Sequence, residues 1–193
     1  MPNEIEKKNK CKTVSDPNWL TYLIVSLDSK CTYVGSTNNM PRRLNNHNNT
    51  SKSRTGAKRT RGQTWSPVVT ISGFNNKIEC LSFEAGWKRL AKYRSNRKLA
   101  LINLASWSRA TAESPASNMT LCYVADTLWN RIIDLLYFVH NFTYIGHKFK
   151  LNHQLKYPFN PPNFLTINIF LNDWIDDLPW PFFIKRSLAH VHE

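Results

Sequence analysis

Five side chains in the first half of the chain have the chemistry of a phosphodiester-hydrolysing site. They are two phenols, a guanidinium, an imidazole and a carboxylate: Tyr22, Tyr33, Arg43, His47 and Glu84. Arg43 and His47 stand four residues apart in a predicted helix, so their side chains share one face. Such a set can bind a phosphate, move a proton and hold a cation around one small cleft.

Each group has a role in such a reaction. A Mg²⁺ or Mn²⁺ ion held by Glu84 and several waters would polarise the phosphate and stabilise the leaving oxygen. Arg43 would neutralise the charge that builds on the nonbridging oxygens. A tyrosine whose pKa is lowered by the cations would take the proton from the attacking water, with His47 relaying it. Taken singly, however, these residues also fit core-edge tyrosines, solvated surface charges and a histidine at a favourable helix end.

The elements that position the tyrosines are two short strands. "WLTYLIVSL" at 19–27 is rich in aromatic and β-branched residues, and "CTYVGS" at 31–36 follows a turn, so the two segments predict a β-hairpin. Tyr33 then reaches the sheet edge, and Gly35 allows a close approach of the backbone beside it. Tyr22 can lie next to Tyr33 across the hairpin, although the sequence does not fix the register.

The remaining groups lie on predicted helices. Thr37 or Asn38 caps a helix that holds Pro41 in its first turn and runs to about His47. A third strand follows at 64–74, where Pro67 indicates either the start of the strand or an edge position. A second helix begins near Lys77, with an apolar stripe of Cys80, Phe83, Trp87, Leu90 and Ala91 and with Glu84 at its margin.

The order β-β-α-β-α predicts a mixed α/β (α+β) fold class. We expect one small domain over 19–105, with a three-stranded, mainly antiparallel sheet flanked by helices. Residues 1–18 are typical of a disordered polar tail. Residues 106–193 predict a helical and irregular extension, whose helix at 122–142 contains charges and is expected to be buried rather than to span a membrane. Its aromatic tail shows no clean period, so we expect the rings to be buried against the helix or in a partner.

Positive charge is concentrated in one window of the sequence. Residues 42–98 hold 14 Lys/Arg against two acids, whereas the rest of the chain is nearly neutral. A local positive field indicates a nucleic acid as the partner, with a solvated basic face as the alternative. Two strips, 52–61 and 88–98, would follow phosphate backbones, as a bent or branched DNA requires. The candidate DNA-binding residues are Arg42, Lys52, Arg54, Lys58, Arg59, Arg61, Lys88, Arg89 and Lys92.

Cysteine usage and the N-terminus indicate a reducing intracellular compartment. The four cysteines show no zinc-binding spacing, and no apolar signal segment or membrane span is visible. The nucleus or another DNA-containing compartment is therefore expected. The 21 asparagines and many lysines suggest an A·T-rich genome, as in a virus or a parasite.

Several ordered motifs resemble the GIY-YIG nucleases. "LTY" at 20–22 and "YVG" at 33–35 stand where that family has its two tripeptides, "RRLNNH" at 42–47 where it has Arg-Leu-x-x-His, and "FEAGW" at 83–87 where it has its metal-binding Glu. "GAKRT" at 56–60 and a Trp before the third strand are similar to the structure-specific, Slx-type catalytic subunits.

The resemblance implies a hydrolytic, metal-dependent endonuclease that acts on branched DNA. By motif position Tyr22 and Tyr33 would be the paired tyrosines, with Tyr22 favoured as the base. Arg43 and His47 would act beside them, and Glu84 would bind Mg²⁺ or Mn²⁺.

The chain also departs from the family pattern. Leu20 and Thr21 replace the Gly and Ile of the first tripeptide, and the second half offers no Cys/His set for the RING-like zinc domain of Slx-type proteins. In that branch the zinc domain docks a scaffold protein or mediates self-association, so the C-terminal extension is expected either to make a different contact or to need none. A catalytically idle DNA-binding module and a site-specific, homing-type or restriction-type nuclease remain the alternatives.

Overall fold

The structure is a computed structural model that describes residues 18–49, 57–95, 128–151, 164–171 and 173–189. Its strands and helices follow the chain in the order β1 (Leu20–Ser26), β2 (Thr32–Thr37), α1 (Met40–Asn48), a 3₁₀ turn (Lys58–Thr60), β3 (Trp65–Ser72), α2 (Lys77–Ser95), α3 (Leu128–His140), β4 (Phe142–Ile145), β5 (Lys148–Leu151), β6 (Leu165–Ile169), a second 3₁₀ turn (Asp173–Ile175) and β7 (Ile184–Leu188). The described residues exclude almost all of the predicted N-terminal tail and the first part of the extension.

One five-stranded sheet dominates this fold, with the strand order β2-β1-β3-β6-β7. Its strands pair antiparallel except for β6 and β7, which run parallel. The predicted mixed fold with a mainly antiparallel sheet is confirmed. The sheet is wider than the three predicted strands because two strands of the C-terminal extension continue it beyond β3. Residues 165–169 do alternate buried and half-buried side chains, which is the pattern of a half-buried strand.

The hairpin has a register that puts both tyrosines on one face. Tyr22 lies opposite Gly35, and Ile24 lies opposite Tyr33. Because side chains alternate along a strand, Tyr22 and Ile24 point to the same side, and Tyr33 shares that side as their cross-strand neighbour.

Two local predictions can be compared with the structure. Pro67 is the third residue of β3, beside the point where the pairing with β1 slips between Leu23 and Ile24, and β3 pairs with β6 only from Val69 onward, so Pro67 has a neighbouring strand on one side, as at an edge. The irregularity in the ladder accommodates a residue that has no N–H to donate. The cap of α1 is Asn39 rather than Thr37 or Asn38, since the Asn39 side chain accepts the Arg42 N–H at 2.9 Å.

The two faces of the sheet carry separate cores. The larger core joins the sheet to α2, α3 and the β4–β5 hairpin, and the predicted stripe of α2 supplies Phe83, Trp87 and Leu90 to it. The smaller core holds Tyr22, Ile24 and Trp65, with Tyr33 and α1 residues packed against it. The tyrosines therefore lie on the α1 face, and α2 packs on the opposite face.

The prediction that aromatic residues of the extension are buried holds for some rings and not for Phe164 and Phe182, which are exposed. Phe138, Phe142, Phe149 and Phe183 are all in the larger core, and the Phe138 ring lies 5.0 Å from that of Phe83. None of the described helices has the length and apolar character needed to cross a membrane.

Candidate active site

Four of the five predicted site residues meet on the α1 face of the hairpin. The Tyr22 hydroxyl lies 2.8 Å from His47 Nε2, and Arg43 Nε donates to the same hydroxyl at 2.9 Å. The ring centroids of Tyr33 and His47 are 5.2 Å apart, and Arg43 also bonds to the Tyr33 side chain. The structure thus brings Tyr22, Tyr33, Arg43 and His47 into one contact cluster.

Gly35 makes room for this cluster. A Cβ atom on Gly35 would lie 2.4 Å from the Tyr22 hydroxyl oxygen and 2.9 Å from Cε1 of Tyr33. Both distances are far inside van der Waals contact, so any side chain at this position would displace the tyrosines. The absence of a side chain at Gly35 therefore lets the Tyr22 ring pack directly against the backbone of β2.

The hydrogen bonds around His47 fit one assignment of its ring hydrogen. Thr60 Oγ1 lies 2.9 Å from the Ala57 carbonyl, to which it can donate its proton, and 2.8 Å from His47 Nδ1. On that arrangement we assign the ring hydrogen to Nδ1, which donates it to Thr60 Oγ1. Nε2 is then unprotonated and accepts the proton of the Tyr22 hydroxyl. A continuous relay runs from Tyr22 through His47 to Thr60.

Thr60 is a site residue that sequence reasoning missed. It belongs to the "GAKRT" segment, in which Lys58 and Arg59 are the predicted DNA-binding cations. The side chain of Thr60 is buried. Trp65 Nε1 donates to the Thr60 carbonyl at 2.9 Å, which ties the 3₁₀ turn to the start of β3. Asn48 accepts the Trp65 N–H at 2.7 Å, so the end of α1 is tied to the same strand.

Burial shifts the pKa values of Tyr22 and His47 in opposite directions. It raises the pKa of Tyr22 to about 12, although Arg43 acts in the opposite direction. Burial, followed by the charge of Arg43, lowers the pKa of His47 to about 4. Both groups are therefore neutral near pH 7. The expected lowering of a tyrosine pKa by the cations together with a bound metal ion stays a prediction. His47, taken singly, is a buried neutral imidazole rather than a helix-end cation.

Glu84, the fifth predicted residue, reaches the cluster from α2 through Lys88. The two side chains form an ion pair one helical turn apart, and Lys88 Nζ lies 5.3 Å from the centroid of the Tyr33 ring. Within the described residues no three acidic, His or Cys side chains group as a metal site. A Mg²⁺ ion can be bound through one carboxylate with waters in its other positions, so the role predicted for Glu84 stays a prediction. The cation beside Glu84 in this structure is the Lys88 ammonium.

The predicted DNA-binding residues separate into two groups. Lys88 lies beside Glu84 and the Tyr33 ring, and its part in a DNA-binding strip stays a prediction. Lys52 and Arg54 lie outside the described residues. The others have exposed side chains: Arg42, Lys58, Arg59, Arg61, Arg89 and Lys92.

Comparison with known proteins agrees with this geometry. Residues 18–98 match the family model described as the GIY-YIG catalytic domain. A protein of Acanthamoeba polyphaga mimivirus, named uncharacterized protein L300, is 58% identical over 171 residues, which cover 89% of this chain and 96% of that protein.

Shorter matches are found in proteins named as structure-specific endonuclease subunits. The SLX1 subunit of Phaeosphaeria nodorum is 43% identical over 70 residues, covering 35% of this chain and 19% of that protein. The SLX1 homolog of Brugia malayi is 34% identical over 122 residues, or 56% of this chain and 35% of that protein. The chain thus spans a fifth to a third of these subunits, whereas it matches the viral protein over nearly its whole length.

Proposed function

Residues 18–98 place the chain in the GIY-YIG nuclease family, and from this premise we propose that the protein is a metal-dependent endonuclease that cleaves branched DNA. The relay that joins Tyr22, His47 and Thr60 carries the catalytic part of the proposal. A buried tyrosine hydroxyl in contact with both an imidazole nitrogen and a guanidinium is a combination typical of functional sites.

The relay explains how a protonated tyrosine acts as a base. Tyr22 has a pKa of about 12, so it is not an anion at neutral pH. As water attacks the phosphorus, Tyr22 Oη takes the water proton and passes its own proton to His47 Nε2. His47 becomes an imidazolium, and its other hydrogen stays bonded to Nδ1 and hydrogen-bonded to Thr60 Oγ1. The P–O bond from water forms as the P–O bond to the leaving oxygen breaks, the leaving oxygen takes a proton from solvent, and His47 later returns its extra proton to solvent. The products are a phosphomonoester end and a hydroxyl end.

Arg43 and Glu84 supply the charge balance in this mechanism. The Arg43 guanidinium, next to Tyr22, stabilises the negative charge that grows on the nonbridging oxygens. Glu84 would hold a Mg²⁺ or Mn²⁺ ion, which when bound supplies Lewis-acid stabilisation of the phosphate and the leaving oxygen. Glu84 approaches from the helix opposite α1, so the scissile phosphate would lie between Arg43 and Glu84.

Branched DNA is proposed from the charge pattern and from the names of the SLX1 relatives. The exposed cations lie on two separate elements. Lys58 and Arg59 are in the 3₁₀ turn and Arg61 follows it, whereas Arg89 and Lys92 lie on α2. Contacts on two elements suit two duplex arms that meet at the site. The compartment that we propose is a DNA-containing one, and the mimivirus relative favours a viral protein in a host cell.

Cleavage by the purified chain tests the proposal. Labelled Holliday junction, 5′-flap, fork and linear duplex DNA would be incubated with Mg²⁺ and wild-type protein, Glu84→Gln or Arg43→Ala. We expect cleavage of the branched substrates by wild type and its loss in both variants. Tight binding without cleavage by wild type would instead support a DNA-binding module or a missing scaffold. Equal cleavage of linear duplex would refute the preference for branches.

The C-terminal extension is proposed as the contact with a scaffold or a second copy. Phe164, Phe182 and Leu188 expose large apolar side chains near the outer strands of the sheet. Light scattering of the purified chain would give a monomer mass if the contact is with a scaffold and a dimer mass if it is with a second copy.

A further inference from the structure

Lys88 lies within the candidate site, where a lysine in a DNA-binding strip was expected. Its ammonium pairs with Glu84 and lies over the face of Tyr33, 5.3 Å from the ring centroid. The Glu84 side chain is only 15% exposed, and that of Lys88 is 40% exposed. The lysine therefore reaches inward from the solvent edge of the site to the carboxylate.

This contact is positioned to be temporary. An ion pair one turn apart on a partly exposed helix face is weak, and a cation over a tyrosine face adds only a modest attraction. A divalent ion carries twice the charge of the ammonium and competes for the same carboxylate. The two cations would repel each other there, so binding of the metal ion disfavours the contact between Lys88 and Glu84.

We propose that Lys88 is an exchanging cation of the active site. Before metal binding its ammonium neutralises Glu84; after metal binding it swings off the carboxylate, stays beside Tyr33 and contacts a nonbridging oxygen of the scissile phosphate. The inference rests on the proposed nuclease function. It assigns to Lys88 both a weakening of metal binding and a direct contribution to the transition state.

Two measurements on Lys88→Met test this role. Mn²⁺ titration of the full chain without DNA, followed by electron paramagnetic resonance, reports the metal affinity alone. Removal of the competing ammonium should tighten Mn²⁺ binding about twofold, the factor that corresponds to an ion pair one helical turn apart on a partly exposed face. Single-turnover cleavage of a labelled junction at saturating Mn²⁺ should nevertheless slow by about tenfold or more, because one phosphate contact is lost.

Matched variants separate the exchange from a change in net charge. Arg89→Met removes one positive charge from the next residue of the same helix, about 100° away, and should leave Mn²⁺ affinity unchanged. Lys88→Arg keeps the charge and should retain more of the cleavage rate than Lys88→Met. Glu84→Gln should abolish the tight Mn²⁺ signal in both backgrounds.

Either the Mn²⁺ titration or the cleavage assay can overturn the inference. Unchanged Mn²⁺ affinity in Lys88→Met would show that the lysine does not compete for Glu84, and an unchanged rate would show that it does not contact the phosphate. If wild type cleaves none of the DNA substrates, the proposed function fails, yet the Mn²⁺ titration still reports whether the lysine and the metal ion compete for Glu84.

Discussion

Replacing Thr60 by Val should disable the relay while leaving the fold in place. The change removes the oxygen that accepts the His47 Nδ1 hydrogen at 2.8 Å and keeps nearly the same side-chain volume. Thr60 is buried, so no water reaches the imidazole nitrogen in its stead. The Nδ1–H group would then remain unsatisfied, or the imidazole would move its hydrogen to Nε2 and point a donor at Tyr22.

The size of the effect follows from the cost of that lost acceptor. A buried donor without a partner costs about 1–3 kcal/mol, which corresponds to a roughly 5- to 150-fold decrease in rate if the whole cost falls on the reactive tautomer. The assay is single-turnover cleavage of a labelled junction at saturating Mg²⁺. ¹⁵N chemical shifts of the His47 ring would report the tautomer independently.

Thr60→Ser provides the matched control, because it keeps the hydroxyl and removes only a methyl group. We expect its cleavage rate to stay within about threefold of wild type. The reasoning would be refuted if Thr60→Val cleaved DNA at the wild-type rate with the hydrogen still on Nδ1. A loss of rate equal in the Ser and Val variants would point to packing rather than to the hydrogen bond.

Three further predictions concern stability. Burial lowers the pKa of His47 from 6.5 to about 4, so between these pH values the unfolded chain binds more protons than the folded one. The free energy of unfolding should therefore fall by about 2–3 kcal/mol as the pH drops from 6.5 to 4. Urea titrations would test this, and His47→Gln should show a weaker pH dependence than wild type. Gly86→Ala would put a Cβ atom 2.3 Å from Cζ of Phe138. This clash should lower the free energy of unfolding by roughly 1–3 kcal/mol, although Ala has the higher helix propensity. A rise of Tm in thermal unfolding would contradict the prediction. Tyr144→Phe removes a hydrogen bond to the buried Glu79 and should cost about 1–3 kcal/mol in urea unfolding, whereas no loss of stability would mean that water or a neighbouring group replaces the hydroxyl.

The local parts of the site were predictable from the sequence because they depend on short-range patterns. The hairpin, the helix that bears Arg43 and His47, and the stripe beside Glu84 all follow from periodicity, capping chemistry and the order of motifs. The sequence alone does not determine the register of Tyr22 and Tyr33. In the structure Gly35 lies opposite Tyr22, and this pairing sets the register.

The features that the sequence did not predict depend on contacts between residues that are far apart in the chain or on side-chain directions that residue type does not show. Thr60 stands among cations, and nothing in its local pattern shows that it faces His47. Lys88 was grouped with Arg89 by charge, although the helix points the two side chains in different directions. The strand at 165–169 does alternate, but a Pro- and aromatic-rich setting masked that signal, and its pairing with β3 connects residues about a hundred positions apart.

That last pairing has a consequence for the order in which the protein is made. Val69 pairs with Ile169, so β3 leaves the ribosome long before its outer neighbour exists. At ordinary synthesis rates, the interval between these residues is roughly 5 to 20 seconds. During that time one edge of β3 is open to other chains. Such non-local pairing also slows folding. A newly made molecule would therefore complete its sheet only after β6 and β7 have emerged from the ribosome, and the yield of folded protein should depend on how well chaperones protect the open edge of β3 until then.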